Sequence, residues 1–155
     1  RCMFGYNGVH APLVYNANGN WNALGNITVG DRMFEGCTNA LFNFSELPKG
    51  LTSASYMFKD CTKATLTLTR LPAGLDGIFT SMFDNALLAV INLDELVANA
   101  PAEGWSKGVK LSYMFRNAGS GNSPGTVTGS RSAFLAKLPN LTNGARAFQG
   151  TNTTA

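Results

Sequence analysis

The chain has 155 residues, enough for one domain with its own core, and 45% of them are hydrophobic, which excludes wholesale disorder. Charged residues make up only 14%, against about 25% in an ordinary soluble domain, and Asn, Thr, Ser and 17 glycines fill the gap. A net charge of +3, scattered along the chain, argues against a nucleic-acid interface, and a single histidine leaves little for acid–base catalysis.

No apolar run approaches the roughly 18 residues of a membrane span; the longest lies around Ala86 to Ile91. The chain opens at Arg1 without a signal peptide and reads as a fragment or processed product of something longer.

A repeat organises the whole sequence. Met-Phe occurs at Met3-Phe4, Met33-Phe34, Met57-Phe58, Met82-Phe83 and Met114-Phe115, with Ala147-Phe148 as a degenerate sixth copy. The spacings are 30, 24, 25, 32 and 33 residues. These mark units near 3–32, 33–56, 57–81, 82–113 and 114–146, with 147–155 as a partial cap. The first unit diverges most, although Leu24, Ile27 and Val29 still lead alternately into Met33.

Within a unit, a small apolar residue stands four places after Met: Cys37, Cys61, Ala86 and Ala118. Phe42-Asn43-Phe44-Ser45 and Leu66-Thr67-Leu68-Thr69 then alternate apolar and polar residues, the pattern of a strand with one buried face. Ile91 and Leu93 fall on the same positions in the fourth unit. Ala133 and Leu135 do so in the fifth, once about ten residues are inserted after Ala118. Leu47, Leu71 and Leu96 follow, and Leu-Pro ends pairing because proline has no N–H for a ladder. Gly50 and Gly74 are expected in turns with positive φ.

A unit this small cannot bury its own Leu, Phe and Met. Stacking neighbours about 4.8 Å apart closes a common interior, and each buried Leu or Phe contributes about 1.5–3 kcal/mol. The expected fold is a right-handed, leucine-rich-repeat-like solenoid of five to six units, with short parallel strands and irregular or briefly helical backs. Met33, Phe34, Met57, Phe58, Met82, Phe83, Met114 and Phe115 form its core, Met filling gaps against the rings. Cys37 and Cys61 face inward on adjacent units, close enough for a disulfide; side chains on a ladder run parallel, which favours buried free thiols and leaves the bond to be decided by the structure.

Leu66-Thr67-Leu68-Thr69-Arg70-Leu71, preceded by Met57-Phe58-Lys59-Asp60-Cys61-Thr62 and followed by Ser81-Met82-Phe83, resembles the BspA-like leucine-rich repeat of bacterial surface proteins. The resemblance is strong over residues 33 to 98 and patchy elsewhere. It implies a leucine-rich-repeat fold and a role in adhesion and host recognition, and similar repeats occur in phage tail-fibre-like proteins. The partner it implies is a cell-surface glycan or protein of a host or bacterium, met outside the cell, at its surface or on a virion. No cofactor, metal or nucleic acid is expected, and a homo-oligomer is expected only if the chain is part of a fibre.

Two surfaces are candidates for contact. Asn43, Thr67, Asn92 and Phe134, flanked by Ser45, Thr69, Asp94 and Ala136, are expected to project outward as a ladder, either to meet a ligand or as ordinary solvated strand residues. The insertions around 101–108 and 119–125 are the second surface, with Trp105 as a contact anchor or folded back over the edge of the stack. Gly119-Ser120-Gly121 lacks the lysine and the strand–helix setting of a phosphate cradle. His10 and three dispersed cysteines lack metal-ligand spacing, and Asp31, Glu35 and Asp94-Glu95 read as solvated acids.

Overall fold

In a computed structural model, the structure describes residues 14–15, 27–74, 78–105 and 109–155. Cys2, Met3-Phe4, His10 and Leu24 lie outside the described residues.

Each Met-Phe pair sits in a tight turn whose shape is set by two backbone reversals. The residue before Met has positive φ in every described copy: Arg32, Tyr56, Ser81, Tyr113 and Arg146, at 53–60°. So has the residue three after Met: Gly36, Asp60, Asn85, Asn117 and Gly150. Gly, Asn and Asp at the second place are the types that tolerate this region; at the first place the strain is carried against preference. Gly50 and Gly74, expected at positive φ, are not among these positions. At the first of those corners Leu51 N–H donates to the Pro48 carbonyl, closing an ordinary four-residue turn that makes no left-handed demand.

The strained turns bond to one another. Phe34 N–H donates to the Met57 carbonyl (2.9 Å), Phe58 to Met82 (2.8 Å), Phe83 to Met114 (2.8 Å) and Phe115 to Ala147 (2.8 Å). The residues before Met repeat the pattern, Arg32 donating to Ser55, Tyr56 to Thr80, Ser81 to Ser112 and Tyr113 to Ala145. So do Gly36 to Lys59, Asp60 to Asp84, Asn85 to Arg116 and Asn117 to Gln149. The left-handed residues thus aim alternate N–H groups at the next copy, and a continuous ladder forms where the sequence alone suggests only connecting turns.

The regular elements are short: β1 (Val14–Tyr15), β2 (Leu41–Phe42), β3 (Leu66–Leu68), β4 (Ala89–Asn92), α1 (Leu93–Ala98), β5 (Val109–Lys110), β6 (Thr126–Thr128), α2 (Arg131–Ala136) and β7 (Leu141–Asn143). Every pairing among the described residues is parallel. β1 pairs β2, β3-β4-β6 form a three-stranded sheet, and β5 pairs β7. Parallel bridges from Leu41 to Thr65 and from Glu46 to Arg70 carry the second unit onto the third.

The Met-Phe residues 33–34, 57–58, 82–83 and 114–115 are all buried, at 5% exposure or less. Rings Phe34, Phe58, Phe83, Phe115 and Phe148 stack in sequence with centroids 5.3, 5.4, 5.6 and 5.5 Å apart. That separation, a little wider than the strand spacing, fits offset stacking. Cys37 and Cys61 are buried thiols with no disulfide joining them, and Cys61 Sγ donates to the Phe34 carbonyl at 3.0 Å.

Register departs from expectation in two units. Leu66 pairs with Ala89 and Leu68 with Ile91, so Ala89 and Ile91, not Ile91 and Leu93, are the inward strand residues of the fourth unit. Two fewer residues separate turn from strand there, and Leu93 becomes the first residue of α1. In the fifth unit the strand is Thr126–Thr128 with Val127 buried, and the expected strand residues 133–135 lie in α2. The segment 119–125 folds tightly over residues 86–88, with Gly121 N–H donating to the Leu87 carbonyl at 3.0 Å. A Cβ on Gly125 would stand 2.1 Å from that carbonyl oxygen, so backbone contact leaves no room for another residue.

Candidate functional site

The observed register sets which side chains line the outer strand face. Asn43, Thr67, Val90 and Thr126 fall in one column, and Ser45, Thr69, Asn92 and Thr128 in the next. Asn43, Ser45, Thr67 and Asn92 are exposed and the remainder half-buried. Some of this polarity is already used. Thr69 Oγ1 donates to the Ser45 carbonyl at 3.2 Å. Asn92 Oδ1 caps α1 by accepting the Asp94 N–H at 3.0 Å, the usual service of an Asn at that position. Asp94 lies in the first turn of α1, not on a strand, and accepts the Ser130 N–H at 3.0 Å.

Phe134 and Trp105 are interior, which for Trp105 is the folded-back alternative and not the contact anchor. Phe134, expected on the outer face, is fully buried, at the α2 position that Leu96 occupies in α1. It meets Phe115 edge-on (5.9 Å) and Trp105 at a tilt (5.9 Å). Trp105 is 1% exposed, and its indole N–H donates to the Pro72 carbonyl at 2.9 Å. A loop anchor for a partner must be accessible; Trp105 instead fastens the 101–105 insertion to the Leu-Pro corner of the third unit. Of the residues expected to contact a partner, the structure brings together Asn43, Ser45, Thr67 and Thr69 with the cap Asn92.

A groove of about 430 Å³ opens at the Leu-Pro corners, where the second outer column ends. Its polar lining is Glu46, Lys49, Arg70 and Asn99, and Leu71, Pro72, Ala73 and Pro101 give an apolar wall. Asn99 Nδ2 donates to the Thr69 carbonyl at 3.0 Å, holding its Oδ1 toward Arg70 Nη2 at 3.5 Å. Arg70 Nη1 stands 3.8 Å from Glu46 Oε1. Sequence reasoning passed over this groove. The signal was there in the pair immediately preceding each Leu-Pro, Glu46 and Arg70, opposite charges on equivalent positions of adjacent units.

The charges of the Met-Phe face are consumed within the stack. Glu35, Lys59, Asp84 and Arg116 follow one another two places after Met and alternate in sign. Asp84 is fully buried and held by Arg116 through Nε (2.8 Å) and Nη2. Asn117 Nδ2 donates to Asn85 Oδ1 (3.1 Å), and Asn85 Nδ2 to Asp60 Oδ1 (2.9 Å), an amide ladder running along the stack. Burial pushes the Asp60 carboxyl up, but the hydrogen bonds from Lys59 and Asn85 and the charges of Lys59 and Arg116 outweigh it and hold the group below its usual range. The hydrogen bond to Asp60 in turn raises Lys59. These groups hold one another and offer no nucleophile, base or cation site.

Among the described residues no three His, Cys, Asp or Glu side chains gather as metal ligands, and no helix is long and apolar enough to cross a membrane. Compared with family models, curated proteins and solved structures, the chain matches none.

Proposed function

We propose that the chain is a non-catalytic recognition module, a leucine-rich-repeat-like solenoid of the BspA type that acts as a surface adhesin or as a phage tail-fibre receptor-binding domain. Its partner is a cell-surface glycan or protein. The observation that carries this reading is the outer face, where Asn43, Thr67, Val90 and Thr126 stand in register beside Ser45, Thr69, Asn92 and Thr128, all polar but Val90, and the second column runs into a groove. Neutral, directional donors and acceptors at strand spacing suit the hydroxyls of a sugar or the backbone of a loop. A glycan array and whole-cell binding, run with the protein and with an Asn43→Ala, Thr67→Ala, Thr126→Ala variant, test it. Loss of binding in the variant at unchanged melting temperature is expected; binding that ignores all three changes contradicts the reading.

A structural spacer or self-assembling fibre subunit is the second reading, and one observation favours it. In the last Met-Phe-like turn the N–H groups of Arg146, Phe148 and Gly150 have no acceptor among the described residues, though their equivalents in the four earlier described turns donate to the next copy. Such an unpaired row is a template for another chain. Light scattering after size-exclusion chromatography separates the two: a concentration-independent monomer supports the binder, end-to-end polymers the fibre.

A further inference from the structure

We propose that the groove at the Leu-Pro corners is a subsite for an acidic saccharide, whose carboxylate is taken by Arg70 with Lys49 beside it. The inference rests on the recognition reading above and narrows its ligand class. The groove's volume, about 430 Å³, lies in the range of small-molecule sites.

Its cation is poised rather than satisfied, as a second arginine of the same chain makes plain. Arg116 grips Asp84 at 2.8 Å through Nε and again through Nη2, the geometry of a completed guanidinium–carboxylate pair. Arg70 reaches Glu46 only at 3.8 Å and Asn99 only at 3.5 Å, and its side chain is 49% exposed. A guanidinium offers five N–H donors in a fork matched to a carboxylate, and among the described residues Arg70 meets only Glu46 and Asn99. Lys49, exposed on the same groove, has no ion partner among the described residues.

The rest of the site is held in advance of any ligand. Asn99 is pinned to the Thr69 carbonyl and Pro72 to the Trp105 indole, so binding does not have to order them. Pro72, Ala73 and Pro101 give an apolar C–H wall for one side of a pyranose ring. Ser45 and Thr69 directly precede the bridged residues Glu46 and Arg70 in the chain, so the neutral residues of a longer glycan continue over hydroxyls. An open groove with one apolar wall and two cations, flanked by neutral hydroxyls, favours a sugar acid over an acidic peptide, which needs an extended row of cations.

The test is titration of isotope-labelled protein by NMR with glucuronic acid and N-acetylneuraminic acid at millimolar concentration. Glucose, N-acetylglucosamine and a tetraglutamate peptide serve as comparators. The expected result is shifts at residues 46–49, 70–73 and 99–101 with at least one acidic sugar and weaker ones with the neutral sugars. Arg70→Gln should weaken binding about tenfold, and Glu46→Gln, which removes a like charge, should tighten it; both side chains are exposed enough for the fold to persist, which melting curves confirm. Neither acid binding, neutral sugars or tetraglutamate binding equally well, or indifference to Arg70→Gln overturns the proposal. A receptor that needs Asn43, Thr67 and Thr126 but ignores Arg70→Gln sinks the acidic subsite alone; absence of any partner for the face sinks the recognition reading with it.

Discussion

The ring of Phe58 lies on the ring of Phe83 with planes 3° apart and centroids 5.4 Å apart, although 25 residues separate them. The contact exists because Phe58 N–H reaches the Met82 carbonyl, so one backbone bond sets both register and stacking. Phe83 is fully buried between two such neighbours. Phe83→Ala should therefore cost about 3–5 kcal/mol, and Phe83→Leu clearly less, by urea or guanidinium denaturation. A cost for Phe83→Ala near that of a surface change means that the rings do not form a shared interior.

Asp84 depends on Arg116 for its charge to stay buried. Arg116→Met leaves a buried carboxylate without its hydrogen-bonded counter-ion and should destabilise by about 3 kcal/mol, the low end for such a break because Arg116 itself is a third exposed and Lys59 still acts on Asp84. Combining it with Asp84→Asn should recover part of the loss, which a double-mutant cycle measures.

Asp60 predicts an acid dependence of known sign. Its carboxyl is held below its usual range in the folded state, so its stabilisation is full above the unfolded value of about 3.9. That stabilisation is lost as pH falls through the lower folded value. Asp60→Asn should flatten the fall in stability of the native chain below about pH 4, read from denaturation midpoints at several pH values. An unchanged slope removes Asp60 from the explanation.

Trp105→Ala should lower stability by about 3–5 kcal/mol, because it empties a buried site and leaves the Pro72 carbonyl without its donor. Trp105→Phe, which keeps most of the volume and loses the N–H, should cost less. Thermal melts of the two variants order them; a silent Trp105→Ala contradicts the buried placement.

The repeat and its buried positions are legible in the sequence because Met-Phe and the small residue four places on recur at copies that bond directly. The shift of strand register in the fourth unit is not. It amounts to two residues, and a slip of two preserves the inside–outside alternation, so Ala89 and Ile91 read no better than Ile91 and Leu93. In the fifth unit β6 buries only Val127 between two threonines, and the richer apolar run at 133–138 drew the alignment into α2, carrying Phe134 to the wrong face. The hydrogen-bonded ladder of the Met-Phe turns depends on left-handed backbone at Arg32, Tyr56 and Tyr113, residue types that give no hint of it. The groove escaped because its residues come from three units and meet only after the copies stack.

Amide hydrogen exchange followed residue by residue tests the stacking most directly. The N–H groups of Phe34, Phe58, Phe83 and Phe115, each bonded to the next copy, should exchange only with global unfolding, while Phe148, which lacks such a partner among the described residues, exchanges far faster. Rapid exchange at all five positions would contradict the stacked arrangement on which the outer face and the groove depend.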